Sequence, residues 1–126
     1  MTDATLRRGD LVLVPVPFAE NLALTKVRPA VIVQNDVGNR FSANIIVAGV
    51  SSRIPLRTYP TVLTVAIDSP GFSETGLRRT SAIDASVIFT VSRRAVVERI
   101  GRLRPELLDT LDECLLYSLG LSVPTA

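Results

Sequence analysis

Apolar residues in this chain come in runs of strand length, each cut short by turn-forming residues before a long helix could build. Gly9-Asp10-Leu11-Val12-Leu13-Val14-Pro15 reads as a turn feeding a β-strand, and Ala30-Val31-Ile32-Val33-Gln34 reads as a second strand that begins directly after an Arg28-Pro29 pair. Asn44 to Val50 reads as a third. Further runs follow at Thr61 to Ile67 and Ser86 to Val91, separated by the turn cluster Asp68-Ser69-Pro70-Gly71-Phe72-Ser73. Short strands at regular spacing predict a small β-barrel. Ser92 is placed to cap a single helical turn, and Val97 to Leu103 returns to a half-alternating strand pattern. Pro105 suits the first position of a helix, Leu107, Leu108, Leu111, Leu115 and Leu119 recur at helical spacing, and Gly120 is placed to end it. Its leucine face is predicted to pack on the barrel, leaving Asp109, Asp112 and Glu113 toward solvent. The expected organisation is one mainly β domain over 1–126, with a barrel over 8–103 and a C-terminal helix over 105–120.

Absences narrow the chemistry. The chain has no histidine and one cysteine, Cys114, so it cannot form an internal disulfide, a Cys/His zinc cage, or a Ser-His-Asp or Cys-His nucleophile pair. Any catalysis falls to arginine, hydroxyls and carboxylates. Cys114 lies in the leucine-rich C-terminal pattern and is expected to be a small core residue. No apolar run is long enough to span a bilayer, and Met1 to Leu6 carries no secretory pattern, so a soluble, cytoplasmic protein is expected.

Net charge is only +2, but Lys26 is the sole lysine, so nearly all the positive charge sits on arginine, whose planar fork binds phosphate bidentately. Arg53, Arg57, Arg78 and Arg79 fall in loop-like stretches. Arg28 stands at the predicted entrance of the second strand and Ser51-Ser52 just past the third, where an arginine and a hydroxyl converging would make a phosphate site. The plainer alternatives are that the loop arginines are solvated charges, and that Arg28 pairs with Asp10 or Glu20 to brace the first two strands.

The Gly9 to Pro15 strand with Phe18, the Val27-Arg28-Pro29-Ala30-Val31-Ile32-Val33 segment and Val50-Ser51-Ser52-Arg53-Ile54 together resemble the MazF/PemK family of toxin endoribonucleases. Gly76-Leu77-Arg78-Arg79-Thr80-Ser81, Ile88 to Val91, and Arg99 to Leu103 with the trailing helix resemble that family's second half. The resemblance implies an SH3-like β-barrel with a C-terminal helix, a homodimer, single-stranded RNA as substrate and an antitoxin partner with an acidic tail. It also implies sequence-specific, metal-independent cleavage without a cofactor, by attack of the substrate's own 2′-hydroxyl, leaving 2′,3′-cyclic phosphate and 5′-hydroxyl ends. The family's catalytic arginine maps onto Arg28 and its threonine onto Ser51; Asp84 is the candidate to move protons, since arginine holds its own too firmly. Glu20, Lys26, Ser52, Arg53, Arg57, Arg78 and Arg79 are then expected along the RNA groove.

Two features depart from the family. The segment Glu20 to Val27, read as a loop that shapes the groove, interleaves apolar residues where many members are polar and glycine-containing, and Ser51 lacks threonine's methyl. The alternatives are a non-catalytic RNA- or partner-binding barrel and a plain structural barrel. A gyrase-poisoning toxin on the same barrel is disfavoured by the absence of tryptophan and the tail Val123-Pro124-Thr125-Ala126.

Overall fold

The computed structural model describes residues 6–18 and 21–123. Six strands form one sheet: β1 (Asp10–Phe18), β2 (Asn21–Ile32), β3 (Asn44–Ser51), β4 (Val62–Val65), β5 (Ser81–Ser92) and β6 (Glu98–Arg102). Their order across the sheet is β4-β5-β3-β2-β1-β6, every pairing is antiparallel, and the sheet curls into a half-barrel. Helix α1 (Asp36–Phe41) links β2 to β3, and α2 (Pro105–Ser118) closes the chain. Two single turns of 3₁₀ helix, Ser73–Thr75 and Arg93–Ala95, precede β5 and β6. The mainly β architecture with a C-terminal helix is the one expected.

The continuous apolar runs have a structural cause, because the sheet buries residues on both faces. Leu11, Val31, Ala48, Val50, Ile83 and Ala85 face α2, where Leu111 and Cys114 complete the core. The alternate residues Val12, Val14, Ala30, Ile32, Ile45 and Val47 pack with Leu6, Val91 and Val96 on the other side. Pro105 opens α2 and Gly120, at φ 72°, follows its end. Burying Leu111 completely is worth about 1.5–3 kcal/mol to the fold.

Several expectations need correcting. Strand β2 runs through the Arg-Pro pair, so Arg28 lies within a strand, opposite Val14, and the Asn21 to Val27 segment is strand, not loop. Pro29 stands opposite Leu13, whose carbonyl accepts from the Val97 N–H at 2.8 Å on the β6 side. That pair therefore turns its polar groups outward, and Pro29 faces β3 with no N–H to give. The β2–β3 ladder stops one residue away, at Ala30 opposite Gly49. Strand β5 begins at Ser81, so Asp84 sits inside it rather than between strands. Helix α1 is unanticipated. Asn35 caps it by accepting from the Gly38 N–H at 2.8 Å, and fully buried Asn39 donates to the Gln34 carbonyl at 2.8 Å. On α2, Asp112 is half-buried and pairs with Arg8 at 2.6 Å, an ionic contact rather than a directed hydrogen bond, while Leu119 is largely exposed. No helix among the described residues is long and apolar enough to cross a membrane.

Candidate functional site

Where β2 and β3 part, a groove of about 390 Å³ opens between the sheet and the segment after the first 3₁₀ turn. Leu13, Pro29, Val50 and Ile100 give it apolar surface, and Leu77 with Gly76 forms its wall. The wall is held close by two glycines. A Cβ on Gly76, which has φ 74°, would run into the Ile100 carbonyl, and a Cβ on Gly101 would run into the backbone of Glu74 and Thr75. Arg104 adds a tie across the same region, pairing with Glu74 at 2.5 Å.

Three arginines line the groove, Arg28 from β2 and Arg78 and Arg79 from the wall, against one carboxylate, Glu98 of β6. Ser52 and Ser81 supply hydroxyls, the latter donating to the Arg79 carbonyl at 2.8 Å. Such a surface has the field and the donors to hold a polyanion. The chain thus brings together four of the residues expected from sequence: Arg28, Ser52, Arg78 and Arg79.

Ser51 and Asp84 lie beside the groove rather than in its lining. Arg28 on β2 and Ser51 on β3 each lie two residues beyond the last β2–β3 pair, Ala30 opposite Gly49, and so keep the face of that pair on their own strands. Ser51 pairs with Ala82 and Gly49 with Asp84, so Asp84 is diagonal to Ser51 on that same face. The Ser51 Oγ accepts from the Arg53 N–H at 3.0 Å, and among the described residues its own proton has no acceptor. One Asp84 oxygen accepts from the Ser86 N–H at 2.9 Å and from its hydroxyl at 2.7 Å. Lys26 is exposed on β2, and Arg53 and Arg57 are exposed in the loop after β3, all outside the lining. Glu20 falls outside the described residues. Asp10, one partner considered for Arg28, accepts from the Arg7 N–H at 2.8 Å and pairs with Arg99 at 3.2 Å, bracing β1 to β6.

Glu98 was not anticipated. The β1–β6 register skips Ile100, so a bulge decides which face each β6 residue takes, and Glu98 lands opposite Leu13 on the groove side. Nothing in the local residue pattern marks that bulge except Gly101, where the 3₁₀ turn presses on the strand.

A family model described as PemK-like, MazF-like toxin of type II toxin-antitoxin system matches residues 7–119. The chain is 34% identical over 116 residues to the Endoribonuclease EndoA of Bacillus subtilis (strain 168), covering 92% of this chain and 96% of that protein. Among solved structures it is similar to an endoribonuclease in complex with its cognate antitoxin from a mycobacterial species, with TM-score 0.74 and 21% identity over 95% of this chain and 100% of that one. It is also similar to MazE-MazF (Form-II) from Deinococcus radiodurans, with TM-score 0.69 and 19% identity over 95% of this chain and 100% of that one. The half-barrel with its C-terminal helix, the extent of the family match and the identity to a curated endoribonuclease lead to one conclusion: the chain belongs to the PemK-like, MazF-like toxins of type II toxin-antitoxin systems.

Proposed function

We propose that this chain is a toxin endoribonuclease that cuts single-stranded RNA at preferred sequences through the groove beside Arg28. The reading rests chiefly on the gathering of Arg28, Arg78, Arg79 and Ser52 around one concave surface in a chain of this family. The RNA supplies its own nucleophile, a 2′-hydroxyl that attacks the adjacent phosphorus. The bond from phosphorus to the 5′-oxygen breaks and that oxygen takes up a proton from water, giving 2′,3′-cyclic phosphate and 5′-hydroxyl ends. Arg28 holds the scissile phosphate and strengthens its contacts as charge builds on the oxygens in flight. Ser51, its oxygen already anchored by the Arg53 N–H, donates its proton to the same group. Asp84, diagonal to Ser51, is the proposed proton acceptor. Lys26, Ser52, Arg53, Arg57, Arg78 and Arg79, with Glu20, guide the flanking strand.

Two partners follow from the same reading. A cognate antitoxin would lay an acidic tail over the arginine-lined groove, as suits a chain whose structural relative was solved with its antitoxin. A second copy of the chain would complete a homodimer. The test is to incubate the protein with mixed-sequence single-stranded RNA in EDTA and map the cut positions and end groups. Cyclic-phosphate ends at a preferred short sequence, with the rate falling on the order of 10²–10³ in Ser51→Ala, are expected. RNA that is bound but intact would move the chain to the non-catalytic binding reading.

A further inference from the structure

A carboxylate is out of place in a phosphate groove. Glu98 lines the same surface as Arg28, Arg78 and Arg79, it is exposed, and among the described residues its side chain forms no hydrogen bond or ion pair. Its charge repels any phosphate placed there, so it weakens the contact that the arginines make. It is also no brace for the fold, since the strand it stands on is held by backbone pairing to β1 and by the Asp10–Arg99 contact.

An ionised carboxylate only accepts hydrogen bonds, and RNA phosphates have no donor to offer it. The donors on RNA are the ribose hydroxyls and the N–H groups of the bases. In single strands a base can be splayed out by a protein and read on its Watson–Crick edge. Guanine alone presents two adjacent donors there, its N1–H and N2 amine, spaced to meet both oxygens of one carboxylate. Beside Glu98 the groove offers what a base needs to lie flat: Leu13, Ile100 and Leu77 give apolar surface, and the arginines give guanidinium planes for stacking.

From this we propose that Glu98 is a base-reading residue that selects guanine at one position of the bound RNA, the arginines handling the backbone. The inference rests on the ribonuclease reading above and adds a substrate preference to it. A carboxylate that reads a base edge discriminates against the wrong base by a factor on the order of 10 to 100. Glu98→Ala removes the acceptor and flattens that preference. Glu98→Gln leaves one acceptor beside one donor, a pattern that matches adenine, and so moves the preference from guanine toward adenine.

The experiment incubates wild type, Glu98→Ala and Glu98→Gln with a single-stranded RNA pool randomised over a short window and sequences the cut products at several pH values. Thermal melting verifies that the variants are folded, which the exposure and lack of partners of Glu98 predict. The proposal expects guanine enriched at one position for wild type, lost at that position alone in Glu98→Ala, and replaced by adenine in Glu98→Gln. An unchanged sequence preference in both variants overturns it while leaving the ribonuclease reading intact. A uniform loss of rate across all sequences with an altered pH profile also overturns it, because Glu98 would then act on the reacting hydroxyl. Wild-type protein that neither cuts nor binds the pool removes the ribonuclease reading, and the proposal with it.

Discussion

Placing one methyl group at Gly101 should both soften the fold and open the arginine-lined groove. A Cβ there meets the backbone of Glu74 and Thr75, and backbone cannot swing aside as the end of a long side chain can. Overpacking of this kind costs about 1–3 kcal/mol. Unfolding entropy of about 2.1 cal/mol/K per residue gives about 0.26 kcal/mol/K for 126 residues, so Gly101→Ala should lower Tm by about 4–12 °C. The strain is relieved by moving the Ser73–Thr75 turn off β6, and Gly76, Leu77, Arg78 and Arg79 move with it. RNA affinity should therefore drop more than stability alone predicts at temperatures well below Tm. Calorimetry gives the first quantity and fluorescence anisotropy with a labelled RNA gives the second. An unchanged Tm would refute the close packing of the turn on β6. A lowered Tm with unchanged RNA affinity would refute the role of that wall in binding.

Two other expectations concern residues away from the groove. Burial pushes the Cys114 thiol up from its ordinary value, and the side chain sits in the core beneath α2, so it should react with a thiol reagent only when the protein unfolds; rapid labelling of native protein would contradict that placement. The Arg8 N–H, at 2.7 Å, and the Asn39 amide hold Asp36 below its ordinary value of 3.8. A carboxylate depressed in the folded state stabilises it above the unfolded value and loses that contribution as pH falls through the folded one. Denaturant titrations should accordingly find the stability difference between wild type and Asp36→Asn shrinking below about pH 4, and a difference that grows toward acid would reverse the sign of the argument.

How far the sequence could be read depended on whether local pattern or tertiary register decided the outcome. Strand β3 and helix α2 announce themselves, one by an unbroken apolar run and the other by Pro105, the leucine spacing and Gly120. The start of β2 was hidden because Arg-Pro reads as a boundary, when in this fold Pro29 merely ends pairing to β3 and leaves the pairing to β1 intact. The run from Ser86 to Val91 misses the first five residues of β5 because Ser81 and Asp84 interrupt the apolar pattern. The strand conformation of Ser81 and Asp84 comes from pairing to β3 and β4, whose partner residues lie 16 or more positions away along the chain, so the local pattern reveals nothing of it. Helix α1, six residues with a glycine inside, has little intrinsic tendency to form and depends on Asn35 and Asn39. In the groove, Arg28, Ser52, Arg78 and Arg79 were legible from residue type and position. Glu98 was not, because its face is set by the bulge at Ile100.

The most direct test of the account is the single-turnover cleavage rate of Arg28→Ala on a preferred RNA in EDTA, measured beside wild type. Arg28 is an exposed residue in a strand that is paired through its backbone, and thermal melting verifies that the variant is folded before its rate is compared. If Arg28 holds the scissile phosphate as proposed, the rate falls by a factor on the order of 10²–10³. A folded Arg28→Ala protein that cuts the RNA at close to the wild-type rate would contradict the central claim that this groove is the site of cleavage.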